Sequence, residues 1–235
     1  AAIDWFTLQL AQTLGEGASG VIHRADHAQG EVAVKLFRGE LTSDGMPASE
    51  KAAALAAGAH PALIPLHGRI GNHPEGRRGL VMPLIDAAYA NLAQPPSFAS
   101  CTRDIYRPEQ RFAFPELLSI AAQIADVAAH LHARGVMHGD LYGHNILIDG
   151  NHRCLLGDFG ASSFIPPGNR AFAERLQRIE VRAFGCLLEE LMQRCLPTPA
   201  ELPRWQALAQ LQQQCLDADP AQRPLFAELV AQLAA

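Results

Sequence analysis

The sequence predicts an α+β chain of two lobes, a strand-rich N-terminal third followed by a mainly helical remainder. Three observations predict it. Runs that alternate loosely or are rich in β-branched residues, TLQLAQTL (7–14) and EVAVKLF (31–37), lie between turn residues in the first 85 positions. From Pro115 onward apolar residues recur instead at a 3-4 spacing, as Leu117, Ile120, Ile124, Val127 and Leu131, which defines one face of a helix. Strands first and helices later is the order of an α+β chain, not of alternating βαβ units. No internal repeat or low-complexity linker interrupts it.

Taken in order, the strand over 7–14 runs into a glycine-rich turn, Gly15-Glu16-Gly17-Ala18-Ser19-Gly20. Strands at 21–25 and 31–37 flank a turn at Gln29-Gly30. A helix over about 47–57 begins at Pro47, a residue suited to a first helical turn, and His60-Pro61 ends it. Short strands near 63–70 and 79–85 enclose the tip GNHPEGRRG, whose Arg77-Arg78 pair reads as a solvated hairpin tip rather than an anion site. Residues 95–115 are Pro-rich and irregular. Strand pieces at 145–148 and 153–156 surround Asp149-Gly150, and helices are expected near 178–193, 203–216 and 224–233. The seam between lobes falls at about 83–92.

Composition bounds the function. The chain has 235 residues, 49% apolar and 18% charged, a balance that builds a core and not a disordered tail. Roughly 10,000 Å² should stay exposed of roughly 37,000 Å² in the unfolded chain. A net charge of −5 offers no basic field for nucleic acid. No apolar run nears the ~20 residues of a membrane span. The start, AAIDWFTLQL, lacks the basic and apolar regions of a signal peptide, and lacks an initiator Met, as a piece of a longer protein would. Five cysteines with no CxxC pair point to a reducing cytoplasm. Arg outnumbers Lys seventeen to two, the only lysines being Lys35 and Lys51, which suggests a bacterial source.

The chemistry-bearing residues come in a fixed order. Gly15, Gly17 and Gly20 fit G-x-G-x-x-G, by itself as often a plain β-turn as a phosphate loop. A strand follows rather than a helix, so a dinucleotide fold is disfavoured. Lys35 shares a strand face with Ala33 and could hold phosphate oxygens if a carboxylate fixed it; Glu50 is the candidate, Glu40 its rival. Asp140 and Asn145 stand five apart in HGDLYGHNIL, and Asp158 lies eighteen beyond Asp140 in LLGDFG. One carboxylate can take a hydroxyl proton, while an amide oxygen and a second carboxylate suit Mg²⁺. Ten histidines show no HExxH; His130 and His132, two apart on a helix, point to different faces, and His138 reads as a packed loop residue.

These blocks together resemble the protein kinase superfamily across nearly the whole chain: the glycine loop, VAVK, HxDLxxxN and DFG, then EVRAFGCLLEEL (180–191) and CLDADPAQRP (215–224). The resemblance implies one bilobal, protein-kinase-like domain over 1–235. Its N-lobe, 1–85, would hold an antiparallel sheet and one helix, its hinge 83–86, and its C-lobe, 87–235, mainly helices. It implies ATP and Mg²⁺ (or Mn²⁺) as cofactors. By position, Gly15, Gly17 and Gly20 would approach the phosphates, Lys35 held by Glu50 would bind the α/β-phosphates, and Ile22, Ala33 and Leu147 would sandwich adenine. Met82 would be the gatekeeper, with the Pro83 carbonyl and Ile85 amide at the adenine edge. Asp140 would orient the acceptor hydroxyl, and Asn145 and Asp158 would hold the metal.

Departures from the pattern bear on the substrate. Gly139 stands where an Arg often precedes the catalytic Asp, Tyr142 where a Lys often touches the γ-phosphate, and Glu180 where an Asp opens the EVRAFG block. No A-P-E follows DFG, so the segment after it is short, and Arg223 needs another partner, with Glu174 or Glu180 in reach. Three readings remain: a protein kinase acting on Ser or Thr, a small-molecule kinase like those for aminoglycosides or choline, and a non-catalytic interaction module. The first leads, with a protein substrate, no nucleic acid, no membrane span, a cytoplasmic setting and a flanking regulatory domain as expectations.

Overall fold

In a computed structural model, residues 1–17, 19–39, 46–101 and 103–234 are described. The N-terminal part is a six-stranded sheet built from β1 (Ala2–Asp4), β2 (Gln9–Glu16), β3 (Gly20–His27), β4 (Gly30–Phe37), β5 (Gly68–Gly71) and β6 (Gly79–Pro83), in the order β1-β5-β6-β4-β3-β2. Every pairing is antiparallel except β1 with β5, which run parallel. β1 is absent from the sequence reading, since three residues are too few to show a period. The strand expected over 63–70 is shorter. Pro61 and Pro65 lack the N–H a ladder needs, and Leu63 instead bridges to Leu156 across the lobe boundary.

β4 shows why alternation matters. Val32, Val34 and Leu36 join Leu8, Ala25, Ile70 and Val81 in one small core, while Ala33 and Lys35 face the opposite way into a cleft. Helix α1 (Pro47–Ala57) reaches the sheet through Glu50 on Lys35 but packs elsewhere. Its Ala53 and Ala57 belong to the large core of the C-terminal part. His130 Nε2 and Arg134 Nε donate to the Ala57 and Ala56 carbonyls at 2.7 and 2.6 Å, satisfying acceptors that a helix end leaves open.

The C-terminal part is organised on α2 (Phe114–Ala133). Leu117, Ile120, Ile124, Val127 and Leu131 are all fully buried, as their spacing predicts. The Glu116 carboxylate accepts the Ala113 N–H at 2.7 Å at its start. Beyond β7 (Ala90–Asn91), β8 (Val136–Met137), β9 (Ile146–Ile148), β10 (Cys154–Leu156) and β11 (Ser163–Phe164) come α3 (Arg170–Met192), α4 (Leu202–Cys215) and α5 (Phe226–Ala234). β9 pairs with both β7 and β10, and β8 with β11. α3 starts two turns earlier than expected, because the Asn169 side chain caps the Phe172 N–H at 3.0 Å. Arg223 finds carbonyls rather than a carboxylate: Nε donates to Asp217 O at 2.8 Å and Nη1 to Arg178 O at 3.0 Å. The exposed surface is 12196 Å², above the compact-chain value of roughly 10,000 Å², as two lobes with a cleft require.

Candidate active site

A cleft of 920 Å³ opens between the two parts. That volume falls within the ~300–1,000 Å³ range of small-molecule sites. Of the residues singled out in the sequence, Gly15, Ile22, Ala33, Lys35, Glu50, Met82, Pro83, Ile85, Asn145, Leu147 and Asp158 line it. Gly17, Gly20 and Asp140 do not. A Cβ on Gly15 or Gly17 would meet nothing within 4 Å, so the β2–β3 turn leaves open space beside its backbone. Gly20 serves the sheet: its Cβ would lie 2.3 Å from the Leu36 carbonyl oxygen. Ala18, in the same turn, and Glu40, the rival of Glu50, lie outside the described residues.

Lys35 is the centre of the inner end. It is buried, forms an ion pair with the buried Glu50, and its Nζ lies 3.3 Å from Asp158 Oδ1. The strand, α1 and the segment after β10 therefore meet at one ammonium. Burial raises the Glu50 carboxyl above its ordinary range, and the Lys35 cation opposes that without cancelling it. Asp158 has φ 55 and a half-exposed side chain facing the cleft, with Oδ1 also accepting the Gly160 N–H at 3.1 Å.

The outer end is the loop from β8 to β9. Asn145 Nδ2 donates to the Asp140 carbonyl at 2.9 Å and to Asp140 Oδ2 at 2.7 Å, and the amide oxygen has no hydrogen-bond partner among the described residues. His138 is fully buried, with Nε2 donating to the Gly157 carbonyl at 2.8 Å, and so is a packed loop residue as read from sequence. Gly139 has φ 81, and a Cβ there would lie 2.3 Å from the Ala161 carbonyl oxygen. An Arg has no room at that position, which explains the departure seen in the sequence. The Gly139 N–H donates to Glu180 Oε1 at 2.6 Å, and His132 Nε2 donates to Glu180 Oε2 at 2.6 Å. Glu180 thus joins α3, α2 and the loop. Burial would raise its carboxyl, but these hydrogen bonds and the nearby imidazoles outweigh burial and hold it below the ordinary range.

One residue of this loop escaped the sequence reading. His144 lines the cleft beside Asn145. Its Nδ1 and backbone N–H both donate to the buried Asp104, each at 2.9 Å, and its Nε2 lies 3.4 Å from Asp140 Oδ2. Burial disfavours the imidazolium, but the two carboxylates outweigh it and raise its pKa to about 10. The hydrogen bonds from His144 and Asn145 in turn hold Asp140 low against its own desolvation. Tyr142, which stands where the resemblance commonly places a Lys, stacks on the His144 ring at 5.9 Å. The fixed cation of this loop is therefore at 144. Asp104 comes from the irregular 95–115 stretch, which Arg103 anchors by its ion pairs to Glu189 and Glu190; a lone Asp there carries no sequence signal.

The donor set fits Mg²⁺: one carboxylate and one amide oxygen, hard ligands that suit an ion held partly by substrate phosphates. Among the described residues no three His, Cys, Asp or Glu converge as a separate metal cage. A family model described as protein tyrosine and serine/threonine kinase matches residues 8–183. The chain is 28% identical over 176 residues to serine/threonine-protein kinase PkaB of Streptomyces coelicolor, covering 70% of this chain and 39% of that protein. It is 27% identical over 218 residues to serine/threonine-protein kinase PknH of Mycobacterium bovis, covering 82% and 34%. Protein-tyrosine kinase 6 of mouse is 27% identical over 156 residues, covering 50% and 34%. The chain thus spans between a third and two fifths of the length of these relatives.

Proposed function

We propose that this chain, which belongs to the protein tyrosine and serine/threonine kinase family, transfers the γ-phosphoryl group of ATP to Ser or Thr hydroxyls of proteins. The observation that carries the reading is the convergence of Lys35, Glu50 and Asp158 at one ammonium, with the Asp140–Asn145 pair joined to the Asp158 segment by the Gly157 N–H, which donates to the Asn145 carbonyl at 3.0 Å. Ile22, Ala33 and Leu147 offer apolar walls for adenine, and Met82, Pro83 and Ile85 border its edge. Lys35, fixed by Glu50, would hold the α- and β-phosphates. Asp140, kept ionised by His144 and Asn145, would take the proton of the acceptor hydroxyl as its oxygen bonds to the γ-phosphorus and the bond to the β-bridging oxygen breaks, releasing ADP. Asn145 and Asp158 would hold Mg²⁺, which when bound neutralises phosphate charge that otherwise repels the nucleophile. The domain would comprise residues 1–235, with the hinge at 83–86, and work in the cytoplasm; no described helix is long and apolar enough to cross a membrane.

A second reading has its own support. Only nine residues, Ala161–Asn169, separate Gly160 from α3, which leaves little backbone for a peptide platform, so a small hydroxylated acceptor is the alternative. Radiolabelled ATP offered with generic proteins and with a panel of small alcohols separates the two. The reading also expects that EDTA abolishes transfer and that Asp158→Ala does the same while the circular dichroism and melting transition persist. Full transfer in EDTA would overturn it.

A further inference from the structure

A cavity of 260 Å³ lies between α1 and the β5–β6 hairpin. Four of its ten lining residues are cations: Lys51 from α1, Arg69 from β5, and Arg77 and Arg78 from the loop before β6. The whole chain has 19 Lys and Arg in 235 residues and a net charge of −5, so composition does not account for the cluster. Glu75 pairs with Arg77 at 2.9 Å; among the described residues Lys51, Arg69 and Arg78 have no ion-pair partner. Gathering like charges destabilises a fold unless something answers them. The sequence shows Arg77-Arg78 as two residues at a hairpin tip; the fold adds Arg69, eight positions back, and one of the chain's two lysines.

The cavity walls are held in place. Ile70 is buried in the sheet core, the Phe37 N–H donates to the Arg78 carbonyl at 3.0 Å, and the Trp5 ring packs on His73 at 4.1 Å. The helix wall is moored differently. The C-terminal end of α1 hangs from α2 through His130 and Arg134, and its apolar face packs in the C-terminal core. Its first turn reaches the sheet through Glu50 on Lys35. Lys51 is the next residue and lines the basic cavity.

We propose that this cavity binds a phosphate group, and that its occupation draws Lys51 toward Arg69 and Arg78 and so steadies Glu50 on Lys35. Guanidinium forks match phosphate oxygens in pairs, and a dianion answers several cations at once. The volume admits one phosphate group with a little of its surroundings, not a stretch of polyanion. A phosphorylated side chain of a protein and free phosphate share this chemistry. The regulatory half of the proposal rests on the kinase reading of the cleft; the binding half does not.

The test therefore reads binding and turnover separately. Thermal melting of the wild-type chain is followed against inorganic phosphate, against a phosphoserine peptide and against the same peptide unphosphorylated. The expected result is a rise in Tm with both phosphates and none with the plain peptide. The rise should vanish in the Arg69→Gln/Arg78→Gln variant and persist in Lys35→Met, which removes a cation of the cleft and none of the four of the basic cavity. A rise kept in the double Gln variant and lost in Lys35→Met would assign the phosphate to the cleft and overturn the site, as would no rise at all. A peptide half-saturating at least tenfold below inorganic phosphate identifies a protein-borne group; equal values identify free phosphate. For regulation, a saturating phosphate source should raise kcat/KM for ATP at least threefold in wild type and not in the double Gln variant, whose basal turnover stays at the wild-type level. Binding without that rise in an active enzyme would overturn the coupling. A chain that binds phosphate at this site but transfers none to any acceptor would sink the kinase reading and leave the site standing.

Discussion

His144 shows how much a single side chain can do in this loop. Both ring nitrogens face carboxylate oxygens, Asp104 on one side and Asp140 on the other, so the ring is at once an anchor and a charge. Removing it has two separable effects. Asp104, buried to 7% exposure, keeps the backbone N–H of residue 144 but loses its cation, and breaking one side of a buried pair costs up to about 3–5 kcal/mol. Asp140 loses one of the hydrogen bonds that keep it low and oriented. We expect His144→Gln to melt earlier and to lower kcat by more than tenfold, about 1.4 kcal/mol in barrier, with the KM for ATP nearly unchanged, because the ring faces Asp140, the residue proposed to take the acceptor proton. Steady-state kinetics on the variant check the split; a change confined to KM would place His144 on the nucleotide instead.

Between elements, Glu180 is the joint of α2, α3 and the loop. Its carboxyl is held below its ordinary value of 4.5, so the stability it lends is fully present above that value and is lost as pH falls through the lower folded-state value. Chemical denaturation of wild type should therefore weaken below about pH 4.5, and Glu180→Gln should lose part of that acid dependence along with some stability at neutral pH. Parallel curves for the two proteins would disprove the linkage. The segment after Gly160 is a second case. β11 pairs with β8 through Ser163 and Met137, the Ser162 side chain donates to the Phe159 carbonyl, and α3 begins at Arg170. Only Ser162 and Ser163 carry hydroxyls between Ala161 and Ile179, and Gly139 offers no cation to a phosphate there. Turnover should fall less than tenfold in the Ser162→Ala/Ser163→Ala double variant and in phosphatase-treated wild type. A larger loss in both would mean that the segment is switched by phosphorylation.

Across the whole molecule the sheet has a small core apart from the large one, and Lys35 is one of the places where they are tied. It belongs to the sheet, its first partner to a helix packed in the other core, and its second to the segment after β10. Lys35→Met leaves Glu50 buried without its cation, with Oε2 already lacking a partner among the described residues. The Glu50 carboxyl, raised in the wild type by burial, then rises further. Above that value it is an unpaired buried anion, and as pH falls through it the group neutralises and the penalty is relieved. We expect the variant to lose turnover and to be more destabilised at neutral pH than near the ordinary carboxyl value of 4.5, which urea denaturation at the two values measures. Equal destabilisation would mean that Glu50 turns out to solvent when Lys35 is gone.

By itself the sequence determined the order of the longer strands and helices, the face of α2, and the motifs that make Lys35, Asp140, Asn145 and Asp158 candidates. Each of these is written locally, as a period, a turn or a short motif, and local patterns survive without knowledge of the fold. What needed the tertiary structure is whatever depends on residues far apart in the chain. Asp104 meets His144 across forty positions, Glu180 meets Gly139 across forty-one, and the carbonyls that satisfy Arg223 belong to Arg178 and Asp217. β1 is too short to carry a period, and the early start of α3 depends on one capping side chain. The basic cavity joins Lys51 to Arg69 and Arg78, which share no motif. Charge pairs and caps act over a few ångströms in space with no regard to separation along the chain, so their partners are fixed only when packing brings the segments together.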